Sequence, residues 1–222
     1  MLKKIVSMLP SSTQEDLKRL HFRRLIRRGH FLADEPEINI IGELLRPGDC
    51  AVDVGANIGH YTCQFGRIVG PSGRVIAIEP MTNTFAHLAA NVLASGLNNV
   101  TLLNLAASSG TGVARMRVPK FETGLHNYYR AEIAAAGDYA VLCMPIDSLT
   151  LPHRVALMKV DAEGHDMEVL KGAKALISRD HPTLIVECGL KSEAAEWLRS
   201  LGYALTRAPD SPNSVARYGQ AG

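Results

Sequence analysis

Short apolar runs alternate with longer amphipathic stretches along most of this chain. Cys50 to Val54 is apolar except for Asp53, and Arg74 to Glu79, Val100 to Leu105, Ala156 to Val160 and Pro182 to Glu187 repeat the type. Such runs predict buried parallel strands. Between them, helical spacing predicts helices over Gly59 to Val69, closed by Gly70-Pro71-Ser72-Gly73, over Thr82 to Ser95, stopped at Gly96, and over Glu168 to Ser178 and Ser192 to Leu201. Glu37 to Leu45 predicts a short helix ended by Pro47-Gly48, and Tyr203 to Arg207 with Ser214 to Tyr218 a closing antiparallel pair. Up to Leu105 the order is βαβαβ, one half of a doubly wound, Rossmann-like sheet. The pattern loosens over 106–150, where Val113 to Val118 and Tyr139 to Pro145 alternate as strands and Phe121 to Ala136 gives no clear period. With no internal repeat or low-complexity linker, the economical reading is one domain over 34–222, with 106–150 as an insertion on the substrate side.

Residues 1–33 are set apart by charge. Residues 1–30 hold eight Lys/Arg against Glu15 and Asp16, a balance of +6 in a chain whose net charge is +2, which leaves −4 for the remainder. Ser12-x-x-Glu15 has the spacing of a capping box, and Leu17, Leu20, Leu25 and Ile26 form a partial apolar stripe, so the segment predicts a basic helical arm. A solvated helix face is the preferred reading; a lid over the active site, or contact with a membrane surface or a phosphate-rich partner, are the others. Because the chemistry begins at Asp53, removal of 1–30 is expected to leave cofactor binding largely intact. The segment lacks the apolar core and small-residue cleavage site of a secretory signal, and no apolar run reaches 18 residues, so no transmembrane segment is expected. Cys50, Cys63, Cys143 and Cys188 are too scattered for a zinc site or a disulfide framework and read as free thiols of a cytoplasmic protein.

The chemistry is concentrated at the ends of the apolar runs. "VDVGANIG", 52–59, passes from a strand through Gly55, Ala56, Asn57 and Gly59 into a helix, with His60 where a dinucleotide fingerprint has its last glycine. Asn57 tolerates a left-handed backbone, but its side chain crowds a pyrophosphate. Asp53 repels a phosphate and favours an amino group or a sulfonium. The loop therefore points to S-adenosylmethionine rather than NAD. Glu79, followed by Pro80, ends the second strand 20 residues after Gly59, where a nucleotide fold puts its ribose-binding acid. Both acids end strands, so both are expected to be replaceable without unfolding the chain.

The chain resembles the FkbM-type methyltransferases in Asp34-Glu-Pro-Glu37, in "LLRPGDCAVDVGANIGHYT", in "AIEP" at 77–80, in "MKVDAEGHDMEVLKGA" at 158–173 and in "HPTLIVE" at 181–187. The resemblance implies a seven-stranded, mostly parallel sheet with a C-terminal antiparallel strand, S-adenosyl-L-methionine as cofactor, and methyl transfer to a hydroxyl of a sugar or another small molecule. Residues 119–140 depart from the family pattern, which bears on the substrate and not on the cofactor.

Asp161, Glu163 and His165 follow the fourth core strand and Glu187 ends the fifth, so all line the crevice beyond the strand ends, where Asp161 also meets the cofactor. A hydroxyl acceptor benefits from a general base, and Asp161, Glu163, His165 and His126 are the candidates. Lys159 lies inside the strand, facing Asp161, Glu187 or neither. A divalent cation on Asp161 and Glu187 ranks below metal-free catalysis, since two carboxylates on different strands are a weak metal signature. The alternatives are an NAD-dependent oxidoreductase, disfavoured by Asn57 and His60, a nucleic-acid methyltransferase using the arm, disfavoured by the near-neutral charge elsewhere and by the lack of the motifs of base methylation, and a scaffold without catalysis, disfavoured by the intact acids. The acceptor and the oligomeric state are not legible in the sequence.

Overall fold

The computed structural model describes residues 10–119, 131–134, 136–151 and 153–219. Its main sheet has seven strands: β1 (Cys50–Val54), β2 (Arg74–Ile78), β3 (Val100–Leu103), β8 (Val155–Val160), β9 (Thr183–Val186), β10 (Tyr203–Thr206) and β11 (Ser214–Tyr218). They lie in the order β10-β11-β9-β8-β1-β2-β3. All neighbours are parallel except β11, which runs antiparallel to β9 and β10. This is the doubly wound sheet with a reversed C-terminal strand that the apolar runs and the family resemblance predict. The order reverses between β1 and β8, so the crevice that receives ligands in such sheets opens beyond the ends of these two strands.

Alternation along each strand separates two layers of core. Val52, Val54, Met158, Val160, Leu184 and Val186 face Val169, Leu170, Ile177 and Leu198. These belong to α5 (Asp166–Gly172), α6 (Lys174–Asp180) and α7 (Glu193–Ser200). Ala51, Leu157 and Ile185 face Tyr61, Phe65 and Val69 of α3 (His60–Val69). The single helix predicted over Glu168 to Ser178 is two, broken at Ala173. Gly172 ends the first where a Cβ would lie 2.0 Å from the Ser108 carbonyl oxygen, so the backbones touch there.

The strand predicted to reach Leu105 ends at Leu103. Asn104 donates through Nδ2 to the carbonyls of Glu79 and Pro80, at 2.9 and 3.0 Å, and the chain leaves the main sheet. It enters a second sheet of β4 (Ala106–Ala107), β5 (Gly112–Arg117), β6 (Glu132–Ile133) and β7 (Tyr139–Met144), ordered β4-β7-β5-β6. Its inner side, with Met116, Val118, Ala131 and Val141, closes on Met81 beside the strand ends.

Two turns of helix before β1, a 3-10 turn at Pro36–Asn39 and α2 (Ile41–Leu44), stand for the helix predicted from Glu37. The N-terminal helix α1 (Ser11–Arg27) starts after Pro10, so Ser12 lies inside its first turn and not at the N-cap position that the predicted capping box requires. Glu15 pairs instead with Lys18 and with His87 of α4 (Thr82–Ala94). Phe22 and Phe31 are buried with Ile58, Leu88 and Val92, and the Phe31 ring lies 4.4 Å from that of His60. Thus α1 continues the core that supports the loop after β1, and its removal is expected to disturb that loop. Phe22→Ala should cost about 3 kcal/mol, the low end for a phenylalanine, because Phe22 sits at the core's edge. Deletion of 1–30 should lower the unfolding midpoint further and weaken cofactor binding, both read in melts with and without S-adenosyl-L-homocysteine. No described helix is long and apolar enough to cross a membrane.

Candidate active site

The site is built from three strand exits. At the first, the chain leaves β1 through Gly55, whose φ is +72° and whose Cβ, were there one, would lie 1.8 Å from the Asp161 carbonyl oxygen. The Gly55 and Ala56 amides both donate to the Ile78 carbonyl at 3.0 Å, which ties the loop to β2. Asn57 is left-handed at φ +51°, the conformation its residue type tolerates best. Gly59, at φ +96°, caps α3 and faces Leu88, so it supports the loop from beneath and lines neither cavity described below.

At the second exit, Glu79 turns back under this loop. Its Oε2 accepts the Asn57 amide at 3.0 Å and its Oε1 the Met81 amide at 2.9 Å. Burial pushes its carboxyl up to about 7, although both amides pull the other way. Asp53 is buried beside Lys159, its register partner on β8. Thr62 donates to its Oδ2 while Oδ1 has no partner among the described residues. Burial raises Asp53 as well, against the pull of Lys159 and Thr62. The expectation that these acids are replaceable without consequence for the fold is corrected here. Only 1% of Asp53 and 6% of Glu79 is exposed, and an alanine at either position strands buried donors.

At the third exit, the Asp161 amide donates to the Val54 carbonyl at 3.1 Å and the Glu187 amide to the Val160 carbonyl at 3.0 Å, which extends the sheet by one rung on each side. Lys159, 3% exposed, donates to Asp161 Oδ2 at 2.7 Å and lies 4.7 Å over the Tyr61 ring. Asp161 is thus the partner the sequence left open. Burial pulls Lys159 down, but Asp161 and Asp53 outweigh it and hold its pKa raised. The Glu187 carboxyl is pushed up to about 7, first by burial and then by its neighbours Asp161, Glu163 and Asp166; Glu187 does not line the cleft described below. Glu163 is left-handed at φ +47°, and Asp166 Oδ1 accepts the Ala162 amide at 2.9 Å, which holds the turn. His165 sits 3.0 Å from Ser108 Oγ, with its pKa lowered by burial.

The exits enclose a cleft of about 640 Å³, measured out to its open mouth. Gly55, Asn57, Glu79, Pro80, Asp161, Glu163 and His165 line it, and Met81, Ala106, Met116 and Ile133 form an apolar wall opposite. Asp53 and Ala56 line instead a neighbouring cavity of about 430 Å³, with Glu35, His60, Tyr61 and Lys159; Gly55, Asn57 and Asp161 are shared by both. His126 lies outside the described residues. Among the described residues no three His, Cys, Asp or Glu side chains form a set able to hold a metal ion. Glu35, Thr62 and Ser108 were not singled out from the sequence. Thr62 and Ser108 carry no local signal, since each acts on a partner brought to it by folding, and Glu35 stood out only within Asp34-Glu-Pro-Glu37.

The chain matches the methyltransferase FkbM domain over residues 53–205. It is 28% identical over 142 residues to the hexuronic acid methyltransferase AglP of Haloferax volcanii, an overlap of 63% of this chain and 56% of that protein. Its fold is similar to that of an FkbM methyltransferase from Methylobacillus flagellatus KT, with a TM-score of 0.54 at 18% identity over 94% of this chain and 60% of that one. It is also similar to a methyltransferase from Geobacter sulfurreducens, with a TM-score of 0.53 at 16% identity over 98% and 94%. The chain thus spans little more than half the length of AglP and of the Methylobacillus protein. The domain match covers most of the described chain, the fold agrees, and the strand exits converge on one cleft: the chain belongs to the FkbM methyltransferase family, whose cofactor is S-adenosyl-L-methionine.

Proposed function

We propose that this protein is an S-adenosyl-L-methionine-dependent O-methyltransferase acting on a hydroxyl of a small molecule or glycan. The observation that carries the reading is Asp161, held by Lys159 in the lining of a cleft that also contains Glu79 and the Gly55–Asn57 loop. The residues fit the cofactor. Each Glu79 oxygen accepts one amide and keeps a lone pair for a ribose hydroxyl, Pro80 and Met81 provide an apolar edge for a base, and Asp53 has an oxygen with no partner. Gly55 and Ala56 place the loop backbone against the ligand. When bound, the cofactor supplies a methyl group on a sulfonium, already activated for displacement.

What remains for the chain is alignment and proton transfer. The wall of Ala106, Met116 and Ile133 excludes water on the acceptor side, and Asp161, fixed by Lys159, holds the acceptor hydroxyl in line. Asp161 accepts the hydroxyl proton as the new O–C bond forms and the C–S bond breaks, with Glu187 as its carboxyl neighbour behind it. Glu163 and His165 border the same opening and orient the acceptor. We further read 1–33 as the arm, 106–150 as the acceptor-side insertion, and the four buried free cysteines as support for a reducing, cytoplasmic setting.

The relative's hexuronic acid offers two oxygen nucleophiles, a hydroxyl and a carboxylate, and only the hydroxyl needs a base. Methyl-labelled cofactor should therefore be offered with a panel of neutral glycans, hexuronic acids and hydroxylated metabolites. The expected product carries its label through mild alkali, as an ether does. Loss of the label in alkali marks a methyl ester and removes the role given to Asp161. Absence of transfer to any hydroxylated compound, with cofactor bound, counts against the acceptor class.

A further inference from the structure

Leu17, Leu20, Leu25 and Ile26 form one stripe in the sequence, but the fold divides them. Leu25 and Ile26 pack with buried Phe22 against Ile58, Leu88 and Val92. Leu17 and Leu20 stay 42% and 62% exposed. They belong to the opposite face, because Leu17, Leu20, Arg24 and Arg27 follow one another along α1 at steps of three and four residues. Arg23 and Arg28, both exposed, flank that face. Its charge is not neutralised from within the helix. Of the two acids in α1, Glu15 pairs with Lys18 and His87, and Asp16 with Arg19 at 3.5 Å. Arg23, Arg24, Arg27 and Arg28 have no ion pair among the described residues. Arg24 and Arg27 complement the dipole at the end of the helix, so charge alone has a structural reason. The two leucines have none. A single exposed leucine is ordinary, but two of them one turn apart, followed by unpaired guanidinium groups, make a face that is apolar over its first turns and cationic over its last.

We infer that the outward face of α1 is a reversible docking surface for an anionic membrane. Lipid phosphates take the arginines, whose long stems lie along apolar surface while their heads reach the headgroups, and Leu17 and Leu20 enter the boundary of the acyl chains. The other occupants fit less well. A nucleic acid would satisfy the arginines and leave the leucines without a partner. A second copy, paired through the same face, would set guanidinium against guanidinium. The inference is independent of the methyl acceptor. Docking and packing use opposite sides of the helix, so a membrane can be bound without undoing the fold. The inward side holds Phe22 against Phe31, and Phe31 against His60 beside the loop after β1, so the docked helix and that loop remain one packed unit. With two leucines and no acyl anchor, the contact is weak and sensitive to salt.

Vesicle flotation on the full chain tests this. The probes are vesicles of phosphatidylcholine alone and of equal parts phosphatidylcholine and phosphatidylglycerol. The parent should float with the mixed vesicles, stay behind with the neutral ones, and be released as salt is raised. Each basic side chain near an anionic surface is worth about fivefold in affinity. Replacing three of them together, Arg24→Gln with Arg27→Gln and Arg28→Gln, should therefore weaken binding about a hundredfold. Leu17→Gln with Leu20→Gln keeps the charge and the helix propensity, and should cost about tenfold or more. Both variants should melt with the parent and bind S-adenosyl-L-homocysteine as it does, since the five side chains are exposed and lie outside the cleft. A parent that does not float with mixed vesicles, or floats equally with neutral ones, overturns the docking surface without touching the methyltransferase reading. So does binding that needs the arginines but not the leucines. In that case a duplex oligonucleotide, titrated by fluorescence anisotropy, should show the same dependence and take the membrane's place. A dimer in light scattering that the leucine variant dissolves would put a second copy on the face, and would also overturn the inference.

Discussion

Asp161→Asn is expected to lower kcat by about 10²–10⁴-fold while S-adenosyl-L-homocysteine binds within a few-fold of its parent affinity. The substitution is close to isosteric. The new carbonyl oxygen can still accept from Lys159 Nζ, which lies 2.7 Å from Oδ2 in the parent, and the new amide can donate to Glu187, so the local structure should hold. What is lost is a charge able to receive a proton. The same pair fixes the pH dependence. Glu187 is raised to about 7 by burial and by its neighbour Asp161, so its proton leaves near that pH and kcat should rise through it to a plateau. Glu187→Gln puts a permanent donor in its place and should erase that limb. Stability should move in the opposite direction. Glu187 is raised from 4.5 in the unfolded chain, so its contribution is fully present below that value and is lost as pH rises through about 7. Glu79, also raised to about 7, acts with the same sign. Melting temperatures should thus fall across the range where turnover climbs. Near-parent turnover in Asp161→Asn on a true acceptor would leave Asp161 a structural role and pass the proton transfer to Glu163, His165 or His126.

Gly55→Ala should be the most damaging single methyl in the protein. Its Cβ would lie 1.8 Å from the carbonyl oxygen of Asp161, a backbone atom just past β8 that cannot rotate aside. The residue also has φ +72°, which disfavours any side chain. Overpacking costs about 1–3 kcal/mol and the left-handed backbone roughly another 1, so a loss of about 3 kcal/mol or more is expected. In a chain of this size that is roughly 6–12 °C in melting temperature. Because β1 and β8 carry Asp53 and Asp161, cofactor binding should fail with it. Gly59→Ala is the internal control. Its Cβ would meet the end of the flexible Leu88 side chain at 2.8 Å, so only the backbone strain and a small shift remain. Similar, small losses in the two variants would show that the two strand exits can separate without harm.

Much of this molecule is determined locally. β1, β2, β8 and β9 are buried along most of their length and so read as nearly continuous apolar runs, which is why they were placed to within a residue or so of their observed ends. The acids at those ends stood out because Asp53 interrupts an apolar run and Glu79 and Asp161 terminate theirs. Asn57 was legible because few side chains accept its backbone conformation. None of this required knowledge of what lies across the sheet. Tertiary structure decided the rest. Glu15 has the spacing of a helix cap, but His87, 72 residues away, takes it. The helix after β8 is two helices, and the second begins where Asp147, 28 residues from Ala175, accepts the Ala175 and Leu176 amides. Glu187 is raised by Asp161, and Asp53 lies beside Lys159, because neighbouring strands bring them together. Glu35 reaches Asp53 only when the segment before β1 folds back over α3. Backbone preference and apolar periodicity act over a few residues and are written in order along the chain. Charge pairing and burial act through space, so the partners of the acids could be assigned only once the strands lay side by side.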